Sequence, residues 1–190
     1  HVFGHSCKIN ELKKISKKYN LLLIEDAAEC MGSFLDNKHL GTFGDLGILS
    51  FNGNKTITTG GGGAILVNNS SLAEKIRHIS TTAKLKHPWE YNHDQIGFNY
   101  RMPNLNASLG CAQLLRLDEL LHKKRQLYKV YKNNFMKIKE VHLGEEKLNS
   151  KSNYWLHYIY LKGNNYKYKD EIIGKCVEKK INLRPLWKPL

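Results

Sequence analysis

The 190 residues hold 30 Lys and Arg against 17 Asp and Glu, a formal charge of +13 with His neutral, and 41% of them are hydrophobic, enough for one ordinary core and little more. The longest unbroken apolar stretches, such as "LLLI" at 21–24, are far too short to cross a bilayer. Cys7, Cys30, Cys111 and Cys176 stand far apart, without a C-x-x-C pair or a His at zinc-finger spacing, so a disulfide framework or zinc ribbon is excluded and a reducing cytoplasm is expected.

In chain order, Ile9, Leu12, Ile15 and Tyr19 form a helical stripe from Lys8, with Asn20 as its stop. Leu21 to Ile24 reads as a strand buried on both faces, as in a parallel sheet. "LGILSF" (46–51) and "GAILVNN" (63–69) are two further strands, followed by a helix from about Ser71 to Ile79. This order predicts a layered α/β domain. The segment 87–104, "HPWEYNHDQIGFNYRMPN", has no period and reads as a long functional or interface loop. Pro103 suits a first helical turn, and apolar residues from Leu105 to Tyr131 predict one long helix over about 104–135. "NYWLHYIYL" (153–161) then reads as a strand, 168–180 as a helix and "INLRPLW" as extended. The change of composition predicts a domain boundary near residue 137, with 1–136 in one domain and 137–190 opening a second. Starting at His-Val-Phe without Met and ending on "RPLWKPL", the sequence is expected to be a fragment.

The high positive charge admits an anionic partner such as nucleic acid. The lysines are dispersed through "ELKKISKKYN" and "LLHKKRQLYKVYKNN", however, a pattern that fits solvated helix faces. Glu25 and Asp26 follow the first strand at its carboxyl end, the edge where open α/β sheets bind ligands; a plain turn-capping role for Asp26 fits equally well. Lys55 follows the second strand, in a loop of small and polar residues beside Ser50, where an amine nucleophile would have room to meet a carbonyl. Gly60 to Gly63 lack the Lys-Ser or Lys-Thr of a P-loop and lead into a strand rather than a helix, so they read as turn glycines. His87, His93 and Asp94 lack a third His or Cys nearby, and no metal site is expected. No G-x-S-x-G elbow is present.

Taken together, "EDAAE" (25–29), "GTFGDLGILSFNGNK" (41–55), "GGGGAILVNN" (60–69) and "GFNYRMPNLNASLGCAQL" (97–114) resemble the DegT/DnrJ/EryC1/StrS family of pyridoxal-phosphate-dependent sugar aminotransferases. The resemblance runs from "HVFGH" to "RPLWKP", and four motifs in order make it specific. The wording is most similar to members acting on UDP- or GDP-linked 4-keto-6-deoxy sugars, as in legionaminic acid, bacillosamine or perosamine routes.

The resemblance implies the fold of PLP-dependent transferases of type I, aspartate-aminotransferase-like: a partial large α/β domain with a mixed sheet and the start of a small C-terminal α/β domain. It implies pyridoxal 5′-phosphate as cofactor, with Lys55 as the Schiff-base lysine and Asp26 as the acid on the pyridine nitrogen. Ser50 falls at a phosphate-binding serine, and Asn99 at an asparagine that reaches the cofactor phosphate of the neighbouring subunit, hence a homodimer with shared sites. Glu29 stands near the cofactor ring where many relatives carry Gln or His. The implied activity is amino transfer, with glutamate as donor, to a nucleotide-linked ketosugar for surface-glycan synthesis, without nucleic acid or membrane as partner. A dehydrase of the same fold would carry histidine at the lysine position. Alternatives are a basic phosphate- or nucleic-acid-binding module and a non-catalytic relative. The fragment alone is expected to be poorly stable and inactive.

Overall fold

Residues 1–188 are described by the computed structural model. Helix α1 (Ile9–Lys18) forms where the stripe predicts it, with Lys17 and Lys18 favourably placed at its C-terminus. Asn20 ends it in the left-handed conformation, φ 50°, which Asn tolerates better than most residues. Of the apolar stripe only Ile9 is buried; Leu12, Ile15 and Tyr19 lie open.

The first strand is displaced from its predicted place. Strand β1 is Ile24–Asp26 rather than 21–24, and it is not buried on both faces: Leu22 is 85% and Ile24 56% exposed. The local cause is Asp45. Its carboxylate accepts the Leu23 N–H at 2.7 Å and its own N–H donates to the Leu23 carbonyl at 2.8 Å, so the backbone of Leu23 is occupied before the ladder begins.

β1 pairs in parallel with β4 (Leu46–Ser50), Asp26 opposite Ile48, and β4 pairs antiparallel with β5 (Gly63–Leu66), Ile48 opposite Ile65. This three-stranded mixed sheet, in the order β1-β4-β5, has two unlike faces, because side chains alternate along each strand. Leu49, Ala64 and Leu66 pack with Ala27, Cys30 and Leu40 in the core, where burial pushes the Cys30 thiol up to about 12. Ile24, Ile48 and Ile65 share the opposite, open face with Asp26 and Ser50.

The connection from β1 to β4 covers the inner face. It carries the two-residue hairpin of β2 (Phe34–Leu35) and β3 (Lys38–His39), turned by Asp36 and Asn37, both at positive φ. Glu25, 3% exposed, holds the end of this connection: its carboxylate accepts N–H groups of Gly41 at 2.8 Å, of Gly44 at 2.6 Å and of Phe43, and it lies 2.9 Å from the His1 ring. Four donors around one buried carboxylate satisfy a charge that would otherwise be costly to enclose. Of the two neighbouring acids, Glu25 is therefore structural.

Helix α2 (Ser70–Ser80) starts on Asn69, whose side chain accepts the Leu72 N–H at 2.9 Å. Residues 87–103 are irregular, as the lack of period over 87–104 predicts, Asn104 already opening the next helix; the irregular stretch begins at Thr81 and is pinned by bridges between Thr81 and Asn99 and between Lys84 and His93.

The long helix over 104–135 is two helices, α3 (Asn104–Leu114) and α4 (Leu117–Phe135). Arg116, at φ −105° and ψ 6°, leaves helical geometry. Its N–H makes a tightened bond to the Gln113 carbonyl while its carbonyl accepts Leu120 N–H, and Asp118 and Glu119 give α4 an acidic first turn.

Beyond α4, β6 (Val141–Leu143) pairs with β8 (Ile159–Leu161), and both lie against Tyr128, Tyr154 and Phe135 in a second small core. Between them the chain returns to the first part: β7 (Ser150–Lys151) pairs with β2. The strand expected over 153–161 is confined to β8. Residues 153–158 form a loop with Tyr154 at φ 47°, because Asn153, Tyr154 and Trp155 are buried by side-chain bonds that a ladder could not offer. A 3-10 turn (Gly163–Tyr168) leads into α5 (Lys169–Glu178). The four cysteines are unpaired, and no helix among the described residues is long and apolar enough to cross a membrane.

Candidate active site around Lys55

Leaving β4 at Ser50, the chain makes a loop and returns as β5. The loop is closed at its base by Phe51 N–H to the Gly62 carbonyl at 2.9 Å and Thr59 N–H to the Phe51 carbonyl at 3.0 Å. Gly60 and Gly62, at φ 80° and 97°, supply the left-handed turns, so the glycines act as turn residues. Ile57 plugs the loop underneath at 1% exposure. From α3, Asn106 donates to the Thr59 carbonyl and Gln113 accepts the Thr58 N–H. Lys55 sits at the tip of this braced loop, its N–H donating to the Asn52 carbonyl at 3.0 Å.

Lys55 Nζ lies 3.8 Å from Glu29 Oε1, and both side chains are largely enclosed, 14% and 11% exposed. The other Glu29 oxygen accepts the Phe3 N–H at 2.6 Å. On its second side, Nζ stands 4.1 Å from the centroid of the Trp155 ring, within cation–π range. An amine in this position is screened from bulk water yet charge-balanced, a setting suited to reversible attack on a carbonyl.

Asp26 and Ser50 stand at the carboxyl ends of adjacent parallel strands, on the same open face of the sheet. Asp26 is exposed there, and its Oδ1 accepts the Ala28 N–H at 3.1 Å: the turn-capping role and an outward-facing carboxylate coexist. Ser50 Oγ accepts the Asn52 N–H at 3.3 Å, leaving its own proton to donate elsewhere. The structure thus brings Lys55 and Glu29 into contact and puts Asp26 and Ser50 on one face. Asn99 is not joined to them; it is exposed and bridged to Thr81. His87, His93 and Asp94 have local roles, with Asp94 2.7 Å from His78 Nε2, His93 Nδ1 2.7 Å from the Thr82 carbonyl, and His87 accepting the Glu90 N–H.

Sequence reasoning missed the wall behind the lysine. Asn153 is fully buried; its Nδ2 donates to the carbonyls of Glu29 (2.8 Å) and Met31 (3.0 Å) and to Thr56 Oγ1 (3.2 Å), while its Oδ1 accepts the Trp155 N–H at 2.8 Å. Trp155 Nε1–H donates to the Asn54 carbonyl at 2.7 Å. The available cue was Asn153 itself, a residue disfavoured in strands, at the head of a stretch of large side chains. The turn "HVFGH" closes against the same asparagine: Gly4 is at φ 87°, and a Cβ there would fall 1.8 Å from Asn153 Oδ1, so only glycine fits.

Comparison with known proteins gives the arrangement a lineage. The chain is 36% identical over 190 residues to GDP-perosamine synthase of Escherichia coli O157:H7, covering 100% of this chain and 51% of that protein. It is 33% identical over 187 residues to UDP-4-amino-4,6-dideoxy-N-acetyl-beta-L-altrosamine transaminase of Campylobacter jejuni subsp. jejuni serotype O:23/36 (strain 81-176), covering 98% and 50%. The chain therefore spans about half the length of the curated relatives it matches. The fold agrees with the crystal structure of Helicobacter pylori PseC, an aminotransferase involved in the biosynthesis of pseudoaminic acid, with a TM-score of 0.88 at 27% identity over 94% of this chain and 48% of that one. The mixed sheet and helices are those of the type I fold of PLP-dependent transferases. With the family profile matching residues 1–190 throughout, the chain belongs to the DegT/DnrJ/EryC1/StrS aminotransferase family.

Proposed function

We propose that the full-length protein is a pyridoxal-phosphate-dependent aminotransferase that converts a nucleotide-linked 4-keto-6-deoxy sugar to its 4-amino form, with glutamate as amino donor. The observation that carries this reading is the enclosed Lys55 amine, balanced by Glu29 at 3.8 Å, at the carboxyl edge of two parallel strands whose open face presents Asp26 and Ser50. Amine, carboxylate and hydroxyl are the donor set that the cofactor's aldehyde, ring nitrogen and phosphate require, so the residues fit it. The relatives' names support a sugar-nucleotide substrate and divide between GDP and UDP.

When bound, the cofactor supplies an electron sink and a carrier for the amino group. Lys55 Nζ would anchor it covalently, and the Asp26 carboxylate would pair with the ring nitrogen. Ser50 would donate its hydroxyl proton to the phosphate, and Asn99 from a second copy of the chain would complete that end of the site across a homodimer. Glu29, 3.8 Å from Lys55 Nζ, balances the Lys55 charge and would stand near the cofactor ring. Once displaced by the amino donor, Lys55 would act as general base for the proton lost from the donor's α-carbon and as general acid for the proton that the sugar C4 must gain. A dehydrase would need this position free of a nucleophilic amine, and Lys55 argues against that reading.

The test uses the full-length protein loaded with pyridoxal phosphate. Borohydride reduction followed by peptide mass analysis is expected to place the adduct on Lys55, and Lys55→Ala to lose the adduct and at least about 10²–10⁴-fold of glutamate-dependent amination across a panel of UDP- and GDP-linked ketosugars. An adduct on another lysine, or no uptake of the cofactor, would sink the proposal.

A further inference from the structure

Among the described residues Lys55 Nζ makes one ion-pair approach, to Glu29, and one cation–π contact, to Trp155, and neither is a hydrogen bond. Glu29 Oε1, at 3.8 Å, is beyond hydrogen-bond distance and acts through charge alone. The Trp155 ring, at 4.1 Å, offers a face that attracts a cation but cannot accept its proton as a carboxylate would. The ammonium is thereby held in place while its three N–H donors stay available to a reacting molecule.

Trp155 is itself locked. It is 3% exposed, its indole N–H donates to the carbonyl of Asn54, the residue immediately before Lys55, and its backbone N–H is fixed by Asn153 Oδ1. That asparagine also grips the backbone of Glu29 and the hydroxyl of Thr56, the residue after Lys55. One buried loop therefore sets the position of the lysine, of the residues on both its sides and of the carboxylate opposite.

Resting on the transaminase reading, we propose that Trp155 is a positioning residue for Lys55: its ring face holds the amine, as ammonium, in the part of the cycle when Lys55 is released from the cofactor, and its N–H fixes the turn that carries the lysine. Proton return by Lys55 then starts from a held group rather than from a mobile side chain with four rotatable bonds.

The test compares Trp155→Leu, which removes face and N–H, with Trp155→Phe, which keeps a face. In the cofactor-free full-length protein, reductive methylation with formaldehyde and cyanoborohydride at pH 8 is followed peptide by peptide, with the exposed Lys175 as internal reference. Trp155→Leu is expected to raise the relative rate at Lys55 about three- to tenfold, the range of one cation–π contact, and Trp155→Phe to keep it within about threefold. In the loaded enzyme, Trp155→Leu is expected to lower kcat about tenfold with KM within twofold, and Trp155→Phe to recover most of kcat. Equal rates at Lys55 in Trp155→Leu and the unaltered protein, or a Phe variant that behaves like Leu, overturn the role of the ring face. Should Trp155→Leu fail to fold by circular dichroism, Trp155→Met, longer and likewise without a ring face, takes its place under the same criteria. Because labelling needs no cofactor, it reads Trp155 even if pyridoxal phosphate never binds, an outcome that would overturn the transaminase reading instead.

Discussion

At the scale of single residues, the carboxamide of Asn153 gathers partners that lie far off in sequence: Ser33 Oγ accepts its backbone N–H, Glu29, Met31 and Thr56 accept its Nδ2 protons, and Trp155 donates to its Oδ1. Truncation to alanine would strand a buried N–H and two carbonyls. Each such loss costs about 1–3 kcal/mol, and Asn153→Ala is expected to lower the unfolding free energy of the full-length protein by at least about 3 kcal/mol, measured by urea denaturation. This is also where legibility in the sequence divides. Lys55, Asp26, Ser50 and Glu29 stand inside short motifs, and the register of two strands was enough to bring Asp26 and Ser50 to one face. Asn153 and Trp155 act across 97 to 124 residues, and no local pattern encodes a contact of that separation.

At the scale of elements, the loop after β3 depends on the first strand for its shape. Glu25→Gln would turn a two-oxygen acceptor into one oxygen and one NH₂, setting a donor against at least one of the amides of Gly41, Phe43 and Gly44. The expected loss is about 2 kcal/mol, and amide exchange at those three positions should accelerate about thirtyfold while β4 and β5 remain protected, as hydrogen exchange resolved by residue would show. Helix α1 was legible from its apolar stripe and the stop at Asn20, and α2 is capped by Asn69 next to its predicted start. The break at Leu115 and Arg116 was not: apolar residues continue across it, good helix formers flank it, and only Asp118 and Glu119 hinted at a fresh N-terminus. The loop 153–158 was misread for a related reason, since a buried loop and a buried strand share the same run of large side chains.

At the scale of the whole molecule, histidines enclosed as neutral rings set the response to acid. His157 lies among Tyr128, Tyr131 and Tyr154, and neither ring nitrogen has a hydrogen-bond partner among the described residues. Burial, aided by the charges of Lys124 and His5, holds its imidazole down to about 4, below the usual value near 6.5. His5, which meets Tyr154 and Tyr158 edge-on, is lowered too, first by burial. Both are neutral in the fold, so the unfolded chain binds more protons as pH falls. Their stabilisation is present above about pH 6.5 and is lost progressively toward pH 4. The urea midpoint of the full-length protein should fall across that window, and His157→Gln should flatten part of the slope; a midpoint independent of pH there would refute this account. His39, on β3, is lowered by burial as well, so it adds to the same fall.

The bond from the Trp155 indole to the Asn54 carbonyl spans 101 residues, and its consequence is one of timing. On a ribosome adding about 5–20 residues per second, the loop bearing Lys55 leaves the exit tunnel roughly 5–20 s before the tryptophan that will confine it. During that interval the lysine is an ordinary mobile amine beside an unfinished sheet. Synthesis order thus assembles the edge that bears Asp26, Ser50 and Lys55 first and the enclosure last, and any premature stop before residue 153 would leave Lys55 without its wall.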